Sequence, residues 1–539
     1  MPSSILTIAK RNANVLNLLG LIIIGGACLV FIISLLVHND FWIDEAMLVQ
    51  TVFTRSFGEI ASSPPDYSQN APLGYLYLLK IFSLVFGDTT LAMRLPSVLA
   101  SIGVMFFAYR IGKDLFRSRS PLLYAGMAVT PSVVLLYSTQ AKQYSFECMC
   151  AVIIVWLMGL YCQGRTGTMK LAFVSAILVW FSFTSIFIIF GCVVVVVVSE
   201  LVRVVKHNES LSELARLCLP FGVTLLSVLA NLFFWILPCA HDMGTAESAY
   251  WSKLRFPLVP MSMSDLHLLY QMAAQMCLGF GLVGVGVIVL ATMILLLLVA
   301  KKGGRVVLLS RPIVAIYVAL LASLVASNLG FLPISPRIFI FVYPLAMVGI
   351  VYTMQFISGE VDGVLSRKPV RILAILLVCV ICLGDFTYNV LHRQFISDRE
   401  QLSTSIEYVA EHKRQEDYIY VDCQAIPLYS YLTDYENKLD DLNYSGDITI
   451  GNTIIGEEYY NHIGDMAYSY VSDPYEDELA TVVKDITQHH TVWLLFAHEV
   501  PASVSDNAQY QLLGELSEYG TVDLEYEYQE TPVYLFTRF

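Results

Sequence analysis

Charge is what this chain has least of. Of its 539 residues only 14% are Asp, Glu, Lys or Arg, against 56% hydrophobic, where a soluble globular chain is about a quarter charged. That shortage excludes an ordinary soluble enzyme as the whole protein. Cysteine builds no framework either. Of 11 cysteines, nine (Cys28, Cys148, Cys150, Cys162, Cys192, Cys218, Cys277, Cys379 and Cys382) fall in apolar runs, where Cys behaves as a small apolar side chain. Nothing shows that the other two, Cys239 and Cys423, pair with each other, and no His/Cys set has metal-ligand spacing. A cleavable signal peptide is not expected: the first apolar run, Leu16 to Val37, is too long and no small-residue cleavage site follows it. Basic residues are nearly missing from the last quarter. From Phe395 onward there are 28 Asp and Glu against 6 Lys and Arg, which argues against nucleic acid and against docking on anionic lipid through that part.

What is abundant is long apolar sequence. Runs of about 20 such residues, enough to cross a bilayer, predict a polytopic α-helical membrane protein with about eleven spans. They lie near 15–37, 94–113, 121–137, 145–162, 170–184, 186–203, 217–237, 277–300, 312–328, 338–357 and 371–391. The stretch 171–202 fits two short spans or one long tilted one. Residues 72–86 are apolar but short and read as a helix on, or dipping into, the outer face. Lys and Arg number 18 on one set of loops and 7 on the other. By the positive-inside rule the N-terminus is then cytoplasmic, and an odd span count puts the C-terminus outside. The chain divides into a transmembrane unit, 1–394, with a first outer loop at 38–93, and an acidic soluble unit, 395–539. In the latter, 418–421 and 492–496 read as buried strands and 400–412, 425–433 and 503–518 as helices. Val522 to Tyr528 and Val533 to Thr537 read as a hairpin, giving a small extracytoplasmic α/β domain.

Just past the first span stands Asp44-Glu45, after Phe41-Trp42-Ile43. An acidic pair at a membrane face beside interfacial aromatics reads as a functional site, and alternatively as the start of a solvated loop. Other elements converge on the same face. They are Gln69-Asn70-Ala71-Pro72-Leu73-Gly74-Tyr75 running on to Lys80, Phe86-Gly87, Arg94-Leu95-Pro96-Ser97, Tyr137-Ser138-Thr139-Gln140-Ala141-Lys142-Gln143-Tyr144, and Pro336-Arg337.

Their order and spacing resemble the GT-C superfamily of membrane glycosyltransferases. More narrowly they resemble the glycosyltransferase family 39-like group of protein O-mannosyltransferases and the bacterial lipid A aminoarabinose transferase. The resemblance is strong over 38–144 and weaker beyond. It implies transfer of a sugar from a polyprenyl-phosphate carrier to an extracytoplasmic lipid, polysaccharide or protein, at the inner membrane of a bacterium. Asp44 matches the family's acid and would be the general base, with Glu45 orienting the acceptor or sharing the proton. Arg337, then Lys142, then Arg94 would hold the departing phosphate. Gln69, Asn70, Tyr75, Tyr137, Gln140 and Tyr144 would contact sugar or acceptor. Direct displacement would invert the anomeric centre. The chain departs from the pattern where Asn70 replaces a His, Gln140 a Glu and Lys142 an Arg. No cofactor is therefore expected, and a divalent metal has no matching ligand set. The rival from another class is a transporter or flippase of an envelope glycolipid. Such a protein is expected to carry charge near the bilayer midplane, whereas the acids here gather outside the first span.

Overall fold

The computed structural model describes residues 3–37, 40–67, 69–207, 218–242, 254–280, 305–358, 384, 386–391, 401–422, 425–433, 443–444, 448–449, 453–455, 476–497, 508–528 and 530–539. The expected spans at 277–300 and 371–391 lie largely outside these residues, as does Cys423. The membrane part is helical because in lipid each backbone N–H and C=O must be bonded within its own segment. Its helices are α1 (Ser3–Val37), α2 (Ile43–Thr54), α3 (Phe57–Ser62), α4 (Leu73–Phe86), α5 (Thr90–Arg110), α6 (Pro121–Met127), α7 (Ser132–Tyr137), α8 (Tyr144–Cys162), α9 (Thr168–Leu178) and α10 (Ser185–His207). After them come α11 (Phe221–Asn231), α12 (Met263–Leu278), α13 (Arg305–Asn328) and α14 (Val342–Ser358). Among the described residues six stretches are long and apolar enough to cross a membrane: Ala13–Leu36, Thr90–Leu115, Tyr144–Cys162, Ser185–Lys206, Phe221–Ala240 and Arg311–Asn328.

One sequence expectation changes, and one open alternative is resolved. The span at 121–137 is two short helices, α6 and α7. Pro131 caps the start of α7; it lacks an N–H to continue the α6 ladder and biases Thr130 away from helical geometry. The stretch 171–202 holds two helices, with α9 ending at Leu178. Glu147, one turn into α8, fastens the turn between them. Its carboxylate accepts from Phe183 N and Thr184 N, both at 3.0 Å, and from the Ser182 and Thr184 hydroxyls. Helices approach closely through small residues, as expected without a hydrophobic drive between them. A Cβ on Gly191 of α10 would run into the Ala315 carbonyl of α13. α5 and α8 meet through Ser101 Oγ and Ser145 Oγ at 3.1 Å.

The C-terminal part contains α15 (Leu402–His412), α16 (Ile426–Thr433), α17 (Glu476–Thr487) and α18 (Ala508–Leu516). They accompany β1 (Tyr418–Val421), β2 (Asn443–Tyr444), β3 (Ile448–Thr449), β4 (Thr453–Ile455), β5 (Thr491–Leu495), β6 (Gly520–Tyr526) and β7 (Val533–Arg538). The main sheet runs β4-β1-β5-β7-β6, with β1 parallel to β4 and β5 and β7 antiparallel to both neighbours. The expected hairpin is β6–β7, and both predicted buried strands lie inside the sheet. One hydrophobic core joins this unit to the first loop. Leu402, Ile406, Ile426, Leu428 and Tyr429 pack in the same cluster as Phe41, Leu48, Val49, Val52 and Leu76.

Candidate active site

The site starts with the N-terminus of α2. Trp42 precedes the helix, and its backbone N–H donates to Glu45 Oε2 at 3.0 Å. Asp44 and Glu45 thus fill the first turn, where carboxylates meet the helix dipole and its open N–H groups. Consecutive helical residues project about 100° apart, so the two acids face different surroundings.

Glu45 faces inward and is 1% exposed. Arg94, on α5, grips it with a fork: Nε to Oε1 at 3.1 Å and Nη2 to Oε2 at 2.8 Å. Ala141 N adds a third contact to Oε1 at 2.5 Å. Burial alone would push the Glu45 carboxyl up. The Arg94 charge and the hydrogen bonds from Arg94, Ala141 and Trp42 overcome it and hold the group below the ordinary glutamate value. Arg94 also donates from Nη2 to the Asp40 carbonyl at 2.6 Å and lies 5.5 Å over the Phe41 ring. This corrects two expectations. Glu45 spends both oxygens inside the protein, and Arg94, 4% exposed, fixes the loop rather than presenting a guanidinium to a phosphate.

Asp44 faces the open side. Its Oδ2 accepts from Arg337 Nη1 at 3.0 Å, and the two side chains are 25% and 27% exposed. Arg337 comes from the turn before α14, where Pro333 and Pro336 stiffen the chain. Tyr144, at the start of α8, lies within electrostatic reach of both Arg337 and Asp44. Its ring centroid is 4.4 Å from that of Tyr137. The structure thus gathers Asp44, Arg337, Tyr144 and Tyr137 from three separate sequence motifs.

Lys142 sits behind this group, buried, donating from Nζ to Gln69 Oε1 at 2.6 Å. Gln69 Nε2 reaches Met47 Sδ at 3.4 Å. Gln143, which the sequence reading passed over, donates from Nε2 to the Asn70 carbonyl at 3.0 Å and so ties the two outer loops together. Gln140 is 5% exposed, and its Oε1 has no hydrogen-bond partner among the described residues. Tyr75 is not at the site. It is fully buried, with its ring 5.4 Å from Phe146 and its hydroxyl 3.5 Å from Ser97 Oγ, so it has no face left for a sugar. The first loop is braced as well. Arg55 pairs with Asp66, and Lys80 Nζ donates to the Val52 carbonyl at 2.7 Å near the C-terminal end of α2. Among the described residues no three His, Cys, Asp or Glu side chains converge to hold a metal ion.

Residues 70–229 match the family described as dolichyl-phosphate-mannose-protein mannosyltransferase. No curated protein sequence matches the chain. Two solved structures share its fold along nearly the whole length. Apo ArnT from Cupriavidus metallidurans superimposes with a TM-score of 0.52 at 12% identity, covering 96% of this chain and 97% of that one. ArnT from the same organism bound to undecaprenyl phosphate gives 0.52 at 10% identity, with the same coverage. The chain therefore has the fold of the GT-C membrane glycosyltransferases, and its residues 70–229 carry the sequence pattern of their dolichyl-phosphate-mannose-protein mannosyltransferase family.

Proposed function

We propose that this protein transfers a sugar from a polyprenyl-phosphate carrier to an extracytoplasmic hydroxyl, with Asp44 as general base and Arg337 as the ligand of the carrier phosphate. The observation that carries this reading is the half-open Asp44–Arg337 pair at 3.0 Å. It sets a proton acceptor beside a guanidinium at the end of the helix bundle that also bears the C-terminal domain. The donor's phosphate would compete for the Arg337 fork, which matches phosphate oxygens in a bidentate way. As Arg337 turns to the phosphate, Asp44 is released to take the acceptor's proton. The acceptor oxygen then bonds to the anomeric carbon while the carbon–phosphate oxygen bond breaks. The carrier phosphate leaves with the bonding pair, its charge held by Arg337, and the anomeric centre inverts. Tyr137 and Tyr144 would line the sugar's side of the site, with Gln69, Lys142, Asn70 and Gln140 behind them.

The shared fold with a protein that binds undecaprenyl phosphate supports the carrier class. The Lys and Arg asymmetry of the loops supports an outward-facing site. The acceptor is a lipid, a glycan or a protein hydroxyl. The deciding experiment is mass spectrometry of envelope glycolipids, polysaccharides and proteins with and without this protein, repeated with Asp44→Asn. One sugar mass that disappears in both the deletion and the Asp44→Asn strain supports the reading. Identical spectra in all three strains overturn it.

A further inference from the structure

We propose that the C-terminal domain is a clamp on the turn that carries Asp44, and that Asp40 is the positioning residue through which it acts. The proposal rests on the reading of Asp44 as the base. Asp40 is 6% exposed, and its Oδ2 accepts from the backbone N–H of Ser403 at 2.9 Å. Ser403 is the second residue of α15, whose own N-cap residue, Gln401, makes no side-chain cap. A helix start leaves N–H groups that need an acceptor. Here the acceptor comes from 363 positions away in the chain.

The grip is two-sided. On the membrane side Arg94 holds the Asp40 carbonyl at 2.6 Å. On the domain side Tyr431 of α16 sets its ring between Phe41, 4.8 Å away edge-on, and Phe53, 5.8 Å away and stacked. Phe41 precedes α2 and Phe53 stands near its C-terminal end, so one tyrosine touches both ends of the helix that bears Asp44. The Tyr431 phenol also meets the Thr90 backbone N–H at the start of α5, the helix that carries Arg94. Burial pushes the Asp40 carboxyl up, while Ser403 and Arg94 pull it back and Glu407 adds to the rise. A surface acid left in water would have none of these neighbours. The direction in which α2 presents Asp44 is therefore set partly by a domain that supplies no group to the reaction.

The test uses the full-length protein in lipid nanodiscs. Hydrogen exchange is followed over residues 40–54, and sugar transfer is followed with the donor concentration varied. Asp40→Ala should speed exchange across the first turn of α2. It should also lower kcat by about ten- to a hundredfold, the scale expected when a catalytic group is misplaced by about 1 Å, and leave KM for the donor unchanged. Asp40→Asn keeps an oxygen for the Ser403 N–H and should restore most of both. Ser403→Pro removes the donor from the other side, in a first turn whose N–H groups have no partner within the helix, and should reproduce Asp40→Ala. Wild-type exchange in Asp40→Ala and Ser403→Pro overturns the clamp. Wild-type kcat with faster exchange overturns the positioning role. The exchange comparison needs no transfer reaction. An inert wild-type protein would thus count against the transferase reading alone, and exchange would still support or overturn the clamp.

Discussion

Asp44 and Arg337 meet at 3.0 Å although 293 positions separate them in the chain. Each sits on a stiff local device, a helix first turn for Asp44 and a proline-flanked turn for Arg337. Neighbouring Glu45 makes an ion pair too, but with both partners buried. The two pairs differ in what a ligand can do to them. The buried pair has no room for exchange, whereas the half-open pair leaves its guanidinium within reach of an incoming phosphate.

Asp44→Asn keeps the shape of the first turn and removes the charge. Transfer by the purified variant should fall by a factor on the order of 10² to 10⁴, typical of a lost general base, while thermal unfolding stays near wild type. Near-normal turnover would remove Asp44 from the chemistry.

Arg337→Lys keeps the charge and loses the fork, so it should be partly impaired. Arg337→Met should be severely impaired. Both should bind polyprenyl phosphate more weakly, since a charge-assisted contact is worth about 1.5–3 kcal/mol. If Arg337 only anchored the loop at the membrane interface, Lys would replace it fully, and Met would lower expression without changing turnover per folded molecule. Donor-lipid binding and turnover, both normalised to folded protein, separate the two cases.

Glu45→Gln should act on stability first. Removing one partner of a buried ion pair leaves the other uncompensated, which costs about 3–5 kcal/mol. The pH dependence follows from the lowered carboxyl. The folded state binds that proton less readily than the unfolded chain, so Glu45 contributes stability that is present above the ordinary value of 4.5 and is lost as pH falls through the lowered one. Unfolding in nanodiscs across this range should show an acid-side loss in wild type that is shallower in Glu45→Gln. Identical acid limbs would mean that the pair does not form.

The sequence made the local parts of this architecture legible. Apolar length picked out α1, α5, α8, α10, α11 and α13, short continuous apolar runs picked out β1 and β5, and the turn at Glu530-Thr531-Pro532 picked out the β6–β7 hairpin. Motif order brought Asp44 and Arg337 to one face. What stayed hidden depends on orientation and on long-range pairing. Tyr75 reads as a site aromatic until the rotation of α4 turns it onto Phe146. Glu45 looks equivalent to Asp44 until a 100° step on the helix turns it toward Arg94. The three-residue strand β4 is too short for any alternation to show. Asp40 had a local signal, a third acid four positions before Asp44 at the end of the first span, but its partner on α15 is set by the docking of a distant domain.

Topology can be checked independently of chemistry. The loop between α8 and α9, 163–167, carries Arg165, and Lys170 follows it on α9. By the Lys and Arg asymmetry this loop belongs to the cytoplasmic side. The C-terminal domain packs against α2 through α16, and its Ser403 binds Asp40, so it shares a side with Asp44. A phosphatase fused at Phe539 should be active in the periplasm, and one inserted after Gly167 should be silent; a cytoplasmic fluorescent reporter should give the reverse. The contact between Ser403 and Asp40 makes the result binding on the site. If Phe539 reports as cytoplasmic, Asp44 and Arg337 face the cytoplasm with it, and the acceptor would have to be sought on that side of the membrane.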